Sequence, residues 1–303
     1  MRLLVVGLDG IDNSFWKRID TLSLVDYHGE LDTYYMSLPS WMCSLTGEEF
    51  DSRMNAEYFV SHRKYKKKML WEYLHNFKQV YLNIPVTFPA ERIKGSFVCG
   101  DWKTKYMDSN SVWPIETLEG LKSIGYTFAD DFENAAVNSD WDYFFDLIIE
   151  KISMRTKAVK YLYEKDNPEL MYFVYRSSDE CLHQRLRLGE ERIDKMHHML
   201  ACEIKEILEY IQPENVLYLS DHSINKNGYH GPDHPSTRWG TWALSTKFEH
   251  IPPLDNAHIL DIFPTILEFF DVELPPVKGT SLIIPESDTE NFMKRMKRLG
   301  YIA

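Results

Sequence analysis

Residues 1–10 read MRLLVVGLDG. The apolar run Leu3 to Val6 stops at Gly7 and is followed within three residues by a carboxylate, Asp9. A run this short falls well below the roughly 20 residues of a membrane span and the apolar core of a signal peptide. It fits a buried strand that ends on a functional side chain. The same phrasing returns twice. Met171 to Tyr175 (MYFVY) is followed by Asp179 and His183, and Val216 to Leu219 (VLYL) by Ser220, Asp221 and His222. Val80 to Ile84 and Trp242 to Leu244 are further strand-like runs. Between them, Tyr143 to Tyr163 and Glu191 to Ile211 repeat apolar residues every three or four positions, the period of amphipathic helices. Alternating strands and helices predict an α/β fold with a mostly parallel central sheet and helices on both faces.

The chain has 303 residues, which fits one large domain, 1–303, carrying an insertion. The segment from about Pro85 to Asp142 is rich in Gly, Pro, Trp, Asn and Asp, has weak periodicity, and reads as a cap inserted in that domain. The net charge of −12 repels the backbone of long nucleic acid. A small anionic substrate is compatible with it where divalent cations reverse the sign locally. Cys43, Cys99, Cys181 and Cys202 stand far apart with no CxxC pair, which suits a reducing, cytoplasmic setting. No run approaches membrane-span length, so no membrane partner is expected. The end of the chain, Asn291 to Ala303, reads as a basic helix with a solvated face.

Open α/β sheets collect their ligands beyond the carboxyl ends of the strands. Asp9, Asp179 with His183, and Asp221 with His222 all sit there. Each alone reads equally as a helix cap or turn residue. Together they form the carboxylate and imidazole set that divalent metals such as zinc prefer. The stretch SLPSWMCSLTG, 37–47, adds hydroxyls at the start of a small-residue helix, where the dipole favours a reactive oxygen. Spacing alone leaves Ser37, Ser40, Ser44 and Thr46 open.

GLDG at 7–10, S-x-P-S-W…LTG at 37–47, D-x3-H at 179–183, SDH at 220–222 and a later histidine occur in an order that resembles the alkaline phosphatase superfamily, particularly its type I phosphodiesterase and nucleotide pyrophosphatase branch. The segment HILDIFPTILEFFDVELPPVKGTSL, 258–282, and MKRLGYI, 296–302, are similar to that superfamily's closing parts. The resemblance implies two divalent metals, zinc or alternatively manganese. Asp9, Asp221 and His222 would hold one, with Ser37 as its reactive ligand and the nucleophile. Asp179, His183 and a histidine after the SDH motif would hold the other. His234, shortly before Gly240 and TWALS, is the expected last ligand, with His230 as its alternative. The remaining histidines match no motif and read as surface or packing residues. The implied activity is a phosphodiesterase or nucleotide pyrophosphatase acting on a small phosphorylated substrate such as a nucleotide. In the cap, Trp102, Lys103, Lys105 and Tyr106 would stack on a base and hold a phosphate, or else belong to core and solvated surface. The alternatives are a phosphomonoesterase or phosphomutase, a sulfatase, and a non-catalytic binding module. Sulfatases need an arginine where this chain has Trp41.

Overall fold

A computed structural model describes residues 1–50, 62, 67–100, 107–128, 132–246 and 257–283. Its strands are β1 (Leu3–Leu8), β2 (Tyr27–Asp32), β3 (Gln79–Ile84), β4 (Gly95–Cys99), β5 (Val112–Trp113), β6 (Leu170–Tyr175), β7 (Val216–Leu219), β8 (Trp239–Ser245) and β9 (Ala257–His258). They form one sheet in the order β5-β4-β3-β6-β1-β7-β8-β2-β9. The middle of it, β4-β3-β6-β1-β7, is parallel throughout. Strands β5 and β8 run antiparallel to their inner neighbours. The fold is therefore the expected α/β arrangement. The segment expected to be a cap also contributes β4 and β5 to the sheet edge, because GSFVC buries four of its five residues against β3.

The helices are α1 (Ser14–Arg18), α2 (Ser37–Thr46), α3 (Leu70–Tyr73), α4 (Glu116–Ser123), α5 (Phe132–Val137), α6 (Trp141–Asp166), α7 (Ser177–His183), α8 (Arg185–Leu188), α9 (Glu190–Ile211) and α10 (Ile262–Glu268). The two-residue alternation of β1 divides them between two layers. Leu4, Val6 and Leu8 join the cluster built by the inner stripes of α6 (Phe145, Ile148, Ile152, Val159) and α9 (Ile193, Met196, Leu200, Ile204, Ile207). Leu3 and Val5 face the cluster of α2 and α10 (Trp41, Leu45, Phe263, Ile266). Helix α2 carries no charged residue and is buried over its whole length, with the hydroxyls of Ser40, Ser44 and Thr46 hydrogen-bonded inside the fold. Pro39 lies in its first turn, where no backbone N–H is needed. Gly47, left-handed at φ 67°, ends the helix by bonding back to the Cys43 carbonyl.

The adjacent parallel strands β6, β1 and β7 end together, with Leu8 beside Tyr175 and Gly7 beside Leu219. Whatever follows them in sequence is gathered at one edge of the sheet. Among the described residues no helix is long and apolar enough to cross a membrane.

Candidate metal centre

Asp9 leaves β1 and is held by its backbone, its N–H donating to the Tyr175 carbonyl at 3.2 Å and its carbonyl accepting from Ser178 Oγ at 2.7 Å. The next residue must be glycine. Gly10 has φ 76°, and a Cβ there would lie 3.2 Å from Asp179 Oδ1. Its N–H donates to Asp221 Oδ1 at 3.2 Å, which ties the turn after β1 to the one after β7. Asp179 and His183 lie one turn apart on α7, and their side chains meet at 3.5 Å.

Two groups of ligand atoms result, each within 4.8 Å internally: Asp9 with Asp221 and His222, and Asp179 with His183 and His230. The groups adjoin, since His222 Nε2 lies 3.7 Å from Asp9 Oδ1 and 3.9 Å from Asp179 Oδ1. His230 stacks on His222 with centroids 4.1 Å apart and lies 5.0 Å from the His183 ring. The structure thus brings His230, the alternative, into a ligand group and does not bring His234 there. His234 belongs to neither group; it heads a 3₁₀ turn and stacks on Tyr229. The loop after β7 turns back at Gly228 and Gly231, so the earlier histidine enters the site and the later one caps its exit.

All three imidazoles use Nδ1 on a backbone carbonyl: His183 on Gly228 at 2.8 Å, His230 on Tyr35 at 2.7 Å, and His222 on Ser223 at 3.2 Å. A carbonyl only accepts, so each ring carries its proton on Nδ1 and offers the Nε2 lone pair to the centre. Two of the carbonyls come from left-handed residues, Gly228 at φ 84° and Tyr35 at φ 62°. Their role is not readable from side-chain motifs, although a glycine in the loop after the SDH motif is a signal for such a turn.

Charge makes the case for a cation. Asp9 and Asp221 are fully buried and Asp179 nearly so. Burial, reinforced by Asp221 and Asp179, pushes the Asp9 carboxyl well above the usual carboxylate range. Burial also raises Asp221 to about 6, although the Gly10 amide opposes it. His222 is held down to about 4 by burial, so it is neutral and able to ligate at pH 7. Asp179 Oδ1 and Asp221 Oδ2 find no hydrogen-bond partner among the described residues. Buried carboxylate oxygens rarely stay unpaired, and a divalent ion satisfies them while cancelling the repulsion. The donor set therefore fits two such ions.

Ser37 is the first residue of α2, and its Oγ lies 3.0 Å from His222 Nε2 and 3.4 Å from Asp9 Oδ1. The other hydroxyls of that stretch are spent elsewhere. Ser40 Oγ accepts from the Tyr34 N–H, Ser44 Oγ donates to the Trp41 carbonyl, and Thr46 Oγ1 donates to the Met42 carbonyl. Trp102, Lys103, Lys105 and Tyr106 lie outside the described residues, as does the segment 296–302.

No protein-family model matches the chain, and no curated protein matches it in sequence. Solved structures do match its fold. A protein solved with its substrate D-glucosamine-2-N,6-O-disulfate aligns over 95% of this chain and 80% of its own, with a TM-score of 0.55 and 13% identity. A 2-O glycosaminoglycan sulfatase aligns over 92% and 73%, at 0.51 and 10%. The lipoteichoic acid synthase LtaP from Listeria monocytogenes aligns over 92% and 73%, at 0.50 and 11%. The chain shares the fold of these neighbours.

Proposed function

We propose that the chain is a metal-dependent hydrolase of phosphate esters with Ser37 as its nucleophile. The observation that carries this is the Ser37 hydroxyl at the head of α2, within 3.4 Å of Asp9 and 3.0 Å of His222, where two three-residue ligand groups adjoin. Asp9, Asp221 and His222 would hold one divalent ion and Asp179, His183 and His230 the other; zinc suits this donor set and manganese is served by it too. Two such ions, when bound, supply Lewis acidity that favours the Ser37 alkoxide and neutralises charge on the phosphoryl oxygens.

The chain's own residues do the rest. Ser37 Oγ attacks phosphorus, the bond from phosphorus to the leaving ester oxygen breaks, and a phosphoserine forms. Water then attacks that phosphorus, releasing the product and returning the Ser37 hydroxyl. The N-terminus of α2 turns its positive dipole end toward the incoming phosphoryl group. The Nδ1 bonds of the three histidines keep their rings from rotating during both steps.

Within this class a phosphodiester of a small molecule is the favoured substrate, on the order of the motifs from GLDG to SDH. A sulfate ester is the second reading, suggested by the sulfated sugar bound to one structural neighbour. Trp41 speaks against it, because its neutral indole stands where a sulfatase requires arginine. Hydrolysis of bis-p-nitrophenyl phosphate, p-nitrophenyl phosphate and p-nitrophenyl sulfate by the zinc-loaded protein separates these readings, with the diester expected to turn over fastest. Ser37→Ala is expected to lower that rate by at least about a thousandfold while leaving the metal content intact. Full activity in the variant would end the assignment of Ser37.

A further inference from the structure

We infer that Trp41 is a positioning residue for Asp9, holding the carboxylate in the orientation in which it ligates a metal ion. The inference rests on the proposed metal-centre reading and adds to it a residue outside the ligand set. Ser37 and Trp41 are four apart on α2, so they project from the same face of that helix. Both reach Asp9, but different oxygens of it: Ser37 Oγ lies 3.4 Å from Oδ1, and Trp41 Nε1 donates to Oδ2 at 3.4 Å. One helix face thus brackets both oxygens of a fully buried carboxylate and fixes its rotation about the bond to Cβ.

The strand is shaped to admit the indole. A Cβ on Gly7 would lie 2.6 Å from Trp41 Cη2 and 2.7 Å from Val174 Cγ2, so the ring lies across β1 only because residue 7 is glycine. Trp41 is fully buried, and its N–H therefore meets no competing water. Indole is a donor only and carries no charge. It orients the carboxylate without neutralising its charge. Partners of this kind behind a metal ligand typically contribute tenfold to a hundredfold in metal affinity.

The test is zinc titration of the full chain against a competing chromophoric chelator. The wild type is expected to bind two ions. Trp41→Phe, which keeps an aromatic ring but loses the N–H, is expected to weaken one site by about tenfold or more and leave the other unchanged. Benzothienylalanine incorporated at position 41 has the shape of tryptophan with sulfur in place of N–H, and is expected to weaken the same site without lowering the melting temperature. Leu45→Val, also buried on α2 but with no contact to Asp9 among the described hydrogen bonds, supplies the structural control. It is expected to lower stability and leave both affinities as they were. Two unaltered zinc sites in the benzothienyl protein would overturn the role of Trp41 and leave the metal centre standing. A wild type that binds no zinc would overturn both.

Discussion

Asp221→Asn tests whether the buried carboxylates are there for a cation. Asparagine is nearly isosteric, and its Oδ1 can still accept the Gly10 N–H, which donates at 3.2 Å. What it removes is charge. Asp221 is fully buried, its Oδ2 has no hydrogen-bond partner among the described residues, and burial raises its carboxyl from 3.8 to about 6. At about 1.4 kcal/mol per pKa unit, keeping Asp221 ionised costs the metal-free fold about 3 kcal/mol at pH 8. Unfolding entropy of about 2.1 cal/mol/K per residue, summed over this chain, turns 3 kcal/mol into about 5 °C. The metal-free variant is therefore expected to melt about 5 °C above the wild type. Zinc at about a hundred times the dissociation constant of each site stabilises by about 2.7 kcal/mol per site, or about 8 °C for two sites. The variant keeps one site, so its zinc-induced rise is expected to be about half as large, about 4 °C. The assay is thermal unfolding at pH 8 with EDTA and with zinc. A variant that melts below the wild type in EDTA and gains as much from zinc would make Asp221 a structural residue and refute the argument.

Two other expectations follow from the same geometry. His230→Ala is expected to lose one bound zinc while His234→Ala keeps two, by elemental analysis of the purified proteins; the reverse outcome would restore the later histidine to the site. His222 is held near 4 by burial, below its ordinary 6.5, so the folded state resists its protonation. Its contribution to stability is present above pH 6.5 and lost as the pH falls toward 4, by about 3 kcal/mol. Asp221, shifted upward, works in the opposite sense over much of that range, so the comparison belongs in a metal-free Asp221→Asn background. There, adding His222→Gln is expected to flatten the stability profile between pH 6.5 and 4, as read by urea unfolding. An unchanged slope would show that His222 is not the titrating group.

The parts legible in the sequence are those where a local pattern coincides with a global constraint. Strands β1, β6 and β7 are buried on both faces, so LLVV, MYFVY and VLYL are continuous apolar runs, and the polar residues just beyond them mark the sheet's carboxyl edge. Helices α6 and α9 bury one stripe each and betray it by period. Strand β2 carries no such signal, for the opposite reason. YHGELD lies near the sheet's margin with only Leu31 fully buried, and so it reads as a polar loop. Strand β4 lies within a segment whose Gly, Pro and Trp content reads as an insertion. The choice between His230 and His234 is not decided by local sequence, for a deeper reason. The carbonyl that orients His230 belongs to Tyr35, 195 residues away, and is aimed by a left-handed backbone that no side-chain pattern announces. A ligand's identity can be written in its residue type, but its orientation is supplied by whichever backbone the fold brings alongside. In this chain the three histidines take that orientation from Tyr35, Ser223 and Gly228, carbonyls that substitution of a side chain does not remove. Such a site is therefore least determined by its sequence in the loops, here between residues 223 and 238, rather than at the strand ends.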